Sequence, residues 1–87
     1  MSWRPRFTKQ ARKDAVQLEA AGLCPKAEAL LAVLRDDPFQ RMPPFEQLVG
    51  DLRGAFSRRI NLQHRLVYEV VPDSRTVKVL RMWTHDG

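Results

Sequence analysis

The sequence predicts an α+β fold, a helical hairpin packed on a twisted, mostly antiparallel sheet in the order β-α-α-β-β-β. Three observations carry this expectation. Two stretches in the first half repeat apolar residues at helical spacing, and each ends on its own stop signal. The second half changes to alternating segments rich in Val, Tyr, Phe and Ile. A short leading segment carries Pro5, which a central strand does not tolerate.

That leading segment, residues 2–7, reads as an edge strand or an extended arm. Thr8 then caps a helix running to about Ala21, with Gly22 as its left-handed stop. Ala11, Ala15 and Leu18 form its narrow apolar stripe. Pro25 suits the first turn of a second helix, where a missing N–H costs nothing. Its apolar face is Ala27, Leu30, Leu31 and Leu34, with Arg35 in the last turn and Pro38 beyond as a breaker. So few residues join the helices that they should pack antiparallel.

Residues 38–44 form a loop stiffened by Pro43 and Pro44. Residues 56–61 read as a strand, followed by a tight turn at Leu62-Gln63 and a second strand over 64–71. In the latter, Leu66, Tyr68 and Val70 alternate with Arg65, Val67 and Glu69. Pro72-Asp73-Ser74 is a turn by its chemistry. The last strand spans 76–84, and its parity puts Val77, Val79, Arg81, Trp83 and then His85 on one side.

Eighty-seven residues, 44% hydrophobic and 29% charged, suit one small folded domain over 1–87 rather than a disordered tail. Lys and Arg number 15 against 10 acids, a net charge of +5. Arg4, Arg6, Lys9, Arg12 and Lys13 precede the first acid and account for all of it, which favours polyanionic partners. No apolar run reaches the ~20 residues of a membrane span, and no apolar stretch follows the basic N-terminus as in a secretory signal. The single cysteine, Cys24, excludes an internal disulfide and a cysteine-based zinc site. The expectation is a cytoplasmic protein with no membrane partner.

No phosphate-binding glycine loop exists, and His64 and His85 lack the spacing of a helical metal pair. Neither a metal nor a cofactor is expected. Residues 53–65 hold four arginines and no acid, and guanidinium forks suit phosphate oxygens. The same pattern also describes a solvated strand face. Glu46 follows the stiff loop, and His85 shares the parity of Arg81. A carboxylate base, guanidinium groups around a phosphate and an imidazole acid are what metal-free RNA cleavage needs. For Trp3 and Trp83, packing competes with base stacking.

Residues 38–70 resemble the YoeB/Txe toxins of the RelE superfamily. The resemblance rests on Glu46-Gln47-Leu48, Leu52-Arg53-Gly54, Ser57-Arg58-Arg59-Ile60 and His64-Arg65-Leu66-Val67-Tyr68, with the ending Arg81-Met82-Trp83-Thr84-His85. It implies a RelE-like fold and a toxin of a type II toxin–antitoxin module. Such a toxin is a metal-independent endoribonuclease that cuts mRNA in the ribosomal A site. It implies a YefM-like antitoxin with an acidic C-terminal segment as partner, and homodimerisation is frequent among such toxins. Residue by residue, Glu46 matches the general base, Arg65 the arginine on the reacting phosphate, and His85 the general acid. Arg59 matches a supporting arginine, and Arg58, Arg81 and Trp83 complete the expected RNA-binding set.

Three positions depart from the family pattern. Val49 stands where a lysine is usual, Asp86 takes the place of the tyrosine after the histidine, and two extra residues separate Arg81 from His85. An insertion of two preserves the face on which a strand residue projects. Two other classes of function stay open at this stage. One is a non-catalytic relative resembling ParE that binds gyrase. The other is an antitoxin-binding protein whose catalytic set has decayed.

Overall fold

The computed structural model describes residues 3–42, 44–48 and 54–83. Strand β1 (Arg4–Phe7) leads into helix α1 (Lys9–Ala20) and helix α2 (Cys24–Asp36). Strands β2 (Phe45–Gln47), β3 (Ala55–Arg59), β4 (Arg65–Val71) and β5 (Thr76–Arg81) follow, with a 3-10 turn at Pro72–Ser74 between the last two. The five strands form one sheet in the order β1-β5-β4-β3-β2. Only β1 runs parallel to its neighbour, β5. The expected α+β fold is present, with one strand more than expected. Three residues of mixed polarity, Phe45-Glu46-Gln47, form an edge strand too short for its alternation to register.

Local chemistry sets the helix ends as expected. Thr8 Oγ1 accepts from the Ala11 N–H at 3.1 Å and donates to the Leu80 carbonyl at 3.0 Å, so one hydroxyl caps α1 and ties it to β5. Gly22 holds the left-handed φ of +72° that ends the turn after α1. The core joins Ala11 and Leu18 of α1, Ala27, Leu30, Leu31 and Leu34 of α2, and Leu66, Tyr68, Val77 and Val79 of the sheet.

Directly opposed strand residues share a face. Register therefore puts Phe56, Tyr68 and Val79 under the helices, and Glu46, Ser57 and Val67 in a row on the other face. Arg59 opposite Arg65 forms the adjoining row on that same face.

The expected parity of the last strand fails. Tyr68 pairs with Val79 but Val67 with Arg81, so Leu80 is an extra residue that bulges β5 and shifts its alternation. Met82, not Arg81, then enters the core, and the strand ends at Arg81, with Met82 and Trp83 beyond it; Thr84 lies outside the described residues. Among the described residues, no helix is long and apolar enough to cross a membrane.

Candidate active site

A cleft opens on the face away from the helices, lined by Pro44, Glu46, Ser57, Arg59 and Arg65. Three strands supply its polar groups. β2 pairs with β3 so that Glu46 lies opposite Ser57, and β3 pairs with β4 so that Arg59 lies opposite Arg65. The Arg65 guanidinium is the centre of the arrangement. Its Nη1 lies 3.2 Å from Glu46 Oε1 and donates to Ser57 Oγ at 3.1 Å. Arg65 keeps only 18% of its side chain exposed, whereas Glu46 keeps 65%. A carboxylate open to solvent thus stands against a largely desolvated, oriented cation, an arrangement that can take a proton and hold an anionic oxygen at neighbouring points.

The structure brings Glu46, Arg65 and Arg59 together around one cleft. His85, Val49, Asp86, Leu52 and Arg53 lie outside the described residues.

Arg58 requires a correction. It alternates with Arg59 and so points under the sheet, where it is 1% exposed. Its Nε donates to Tyr68 Oη at 3.1 Å, and its Nη2 donates to the carbonyls of Pro38 at 3.1 Å and Gln40 at 2.6 Å. The guanidinium also lies 4.9 Å from the Phe45 ring centroid. A buried fork spent on internal acceptors is a scaffold, not a phosphate contact. Burial pushes the Tyr68 hydroxyl above its ordinary pKa even though Arg58 beside it favours the ionised form.

Arg81 and Trp83 are likewise engaged within the fold. Arg81 Nε donates to Asp14 Oδ2 at 2.8 Å, and its Nη2 donates to the Trp83 carbonyl at 3.0 Å. Trp83 stacks on buried His64 with centroids 3.8 Å apart and planes 20° apart. The packing alternative for Trp83 is the one observed.

Sequence reasoning passed over Asp14. Its side chain is 4% exposed, and Oδ2 accepts from Arg81 Nε, from the Met82 N–H at 2.9 Å and from the Trp83 N–H at 3.2 Å. Gln10 Nε2 donates to Oδ1 at 3.0 Å. Burial pushes the Asp14 carboxyl up, but these hydrogen bonds, Arg81's foremost, outweigh it and hold the group below its ordinary range. One signal was available: Asp14 sits three residues after Ala11 and four before Leu18, in the middle of the apolar stripe.

Comparison with known proteins gives one consistent result. A family model described as YoeB-like toxin of bacterial type II toxin-antitoxin system matches residues 7–85. The YoeB toxin of Streptomyces coelicolor is 44% identical over 48 residues, 55% of this chain and 57% of that protein. The chain thus spans about half the length of the curated relatives it matches. A YoeB/ParE toxin from Agrobacterium tumefaciens superposes with a TM-score of 0.85 at 27% identity, covering 95% of this chain and 99% of that one. YoeB from Staphylococcus aureus superposes at 0.82 as a dimer and 0.78 in its complex with YefM, at 27% and 28% identity. Both cover 99% of this chain and 100% of the other.

Proposed function

The chain belongs to the YoeB-like toxin family of bacterial type II toxin–antitoxin systems, and from that premise we propose that it is a ribosome-dependent endoribonuclease that cuts mRNA in the A site. The observation that carries this reading is the Glu46–Arg65–Ser57 constellation in an open cleft that Arg59 also lines.

Glu46 takes the proton from the ribose 2′-hydroxyl, and the freed 2′-oxygen attacks the adjacent phosphorus. Arg65, held by Ser57, and Arg59 stabilise the charge that builds on the non-bridging oxygens. The bond from phosphorus to the 5′-oxygen breaks as the 2′-oxygen bond forms, and His85 donates a proton to the departing oxygen. The products are a 2′,3′-cyclic phosphate and a 5′-hydroxyl end. The net charge of +5 draws the protein to ribosomal RNA and to an acidic, YefM-like antitoxin in the cytoplasm. YoeB of S. aureus, solved both as a dimer and with YefM, supports that partner and a homodimer for this chain.

The test is cleavage of mRNA on programmed ribosomes by the purified protein, with 3′ ends mapped and a Glu46→Ala control. Cuts confined to the A-site codon, dependent on both ribosome and Glu46, are expected. A wild-type protein that binds ribosomes without cutting would overturn the reading and make gyrase the next target to assay.

A further inference from the structure

A second depression adjoins the cleft, lined by Lys26, Arg59, Asn61, Leu62 and Gln63. Arg59 lines both, so the two hollows meet at one side chain. The cleft holds about 250 Å³ and the depression about 610 Å³. Only the second reaches the ~300–1,000 Å³ usual for a ligand site. We propose that this depression is a nucleotide subsite that takes the base and backbone phosphate next to the scissile bond of single-stranded RNA. The inference rests on the endoribonuclease reading above.

Each lining group matches one part of a nucleotide. Lys26, in the first turn of α2, and Arg59 place two cations around the hollow, and among the described residues no acid lines it. That composition suits a backbone phosphate. Asn61 Oδ1 accepts from the N–H groups of Gln63 at 2.9 Å and His64 at 2.7 Å, which closes the turn between β3 and β4. Its oxygen is thereby committed, and its NH2 group remains as a donor for a base carbonyl or a 2′-hydroxyl. Gln63 is exposed beside it, with a full carboxamide for a base edge. Leu62 is 82% exposed, the most exposed large apolar side chain among the described residues. Nothing in the fold uses it, and an aliphatic group at a loop tip can cover the face of an unstacked base. An acidic peptide would satisfy the two cations. It would leave the exposed leucine and the two amides without a role, and it would not explain why the hollow shares Arg59 with the cleft.

Two surface variants test the proposal, each made in the active protein and in a Glu46→Gln background that holds RNA uncut. Binding of a short single-stranded RNA is followed by fluorescence anisotropy across a KCl series. Lys26→Gln is expected to reduce the slope of log affinity against log salt by ~0.7, the value for one lost phosphate contact on a single strand. The double variant Leu62→Ser/Gln63→Ala is expected to weaken binding about 3- to 10-fold at fixed salt with the slope unchanged, since neither residue carries charge. In the active protein the double variant should also redistribute cuts among the flanking bases. Parental affinity, slope and cut distribution in both variants would overturn the subsite. Weakened binding of an acidic antitoxin with RNA binding intact would also overturn it, and would mark the depression as a protein-docking surface. If the wild-type protein cuts nothing, the endoribonuclease reading fails while the anisotropy arm still decides whether RNA occupies this depression.

Discussion

Replacing Asp14 tests the part of the architecture least visible in the sequence. In Asp14→Ala, Met82, which is 4% exposed, loses the acceptor for its N–H, at a cost of ~1–3 kcal/mol. The Arg81 side chain is 43% exposed, so water replaces part of what it loses and its share is discounted to ~1 kcal/mol. The partly buried Trp83 N–H adds ~1 kcal/mol. The expected loss is about 3–5 kcal/mol, a large fraction of the ~5–15 kcal/mol that stabilises a domain. At ~4–8 °C per kcal/mol for a chain of this size, the midpoint of thermal unfolding should fall by at least ~12 °C. Asp14→Asn keeps an acceptor but not its charge and should cost only ~1–2 kcal/mol. The carboxyl is held below its ordinary range, so its contribution is complete above the unfolded pKa of about 3.9. It is lost as pH falls through the native value. Urea unfolding followed by circular dichroism at pH 7 and at pH 3 measures both effects. An alanine variant within ~0.5 kcal/mol of wild type, the range of an ordinary surface substitution, would refute the clamp.

Glu46→Ala and Arg65→Ala should each lower cleavage on programmed ribosomes by at least ~100-fold with unfolding midpoints little changed; wild-type rates in both would remove the mechanism. Arg58→Lys keeps the charge but not the fork, and cannot meet Tyr68 Oη and two carbonyls at once, so chemical denaturation should show a loss of ~1–3 kcal/mol. Tyr68→Phe removes a hydroxyl that donates to the Pro38 carbonyl and accepts from the buried Arg58 Nε, and should cost ~1–3 kcal/mol by the same measurement. Thr8→Ala removes the cap of α1 and its tie to Leu80, for ~1–2 kcal/mol; a neutral result would mean water replaces both bonds.

What the sequence disclosed follows from which interactions are local. Both helices were legible because the cap at Thr8, the left-handed Gly22, the early Pro25 and the 27-30-31-34 face act within a few residues of themselves. β2 was not legible, because three residues hold too little alternation and Glu46 pairs with Ser57, beyond the intervening residues. The bulge at Leu80 was invisible for a related reason: a register shift belongs to two strands together, and parity read along one strand cannot detect it. That shift is why Arg81 meets Asp14 and Met82 enters the core. Arg58 shows the opposite error. Composition marked 53–65 as a run of arginines, yet alternation alone separates Arg59, facing the cleft, from Arg58, buried beneath it.

Arg58 and Asp14 nevertheless bear on the cleft from which they are hidden. Glu46 rides on a three-residue strand at the edge of the sheet, with a neighbouring strand on one side to hold it. Its neighbour Phe45 packs edge-on against Phe56 at 5.5 Å and lies under the Arg58 guanidinium, which also grips the loop at Pro38 and Gln40 that leads into β2. The buried fork therefore fixes the approach to the strand that carries Glu46, one residue along β3 from the serine that bonds Arg65. Asp14 does the equivalent at the end of β5, the neighbour of the strand that carries Arg65, by gathering the N–H groups of Met82 and Trp83. A cleft open on one face cannot draw rigidity from a core on that side. Here the buried Arg58 guanidinium beneath the sheet holds the approach to the edge strand from which Glu46 reaches the cleft.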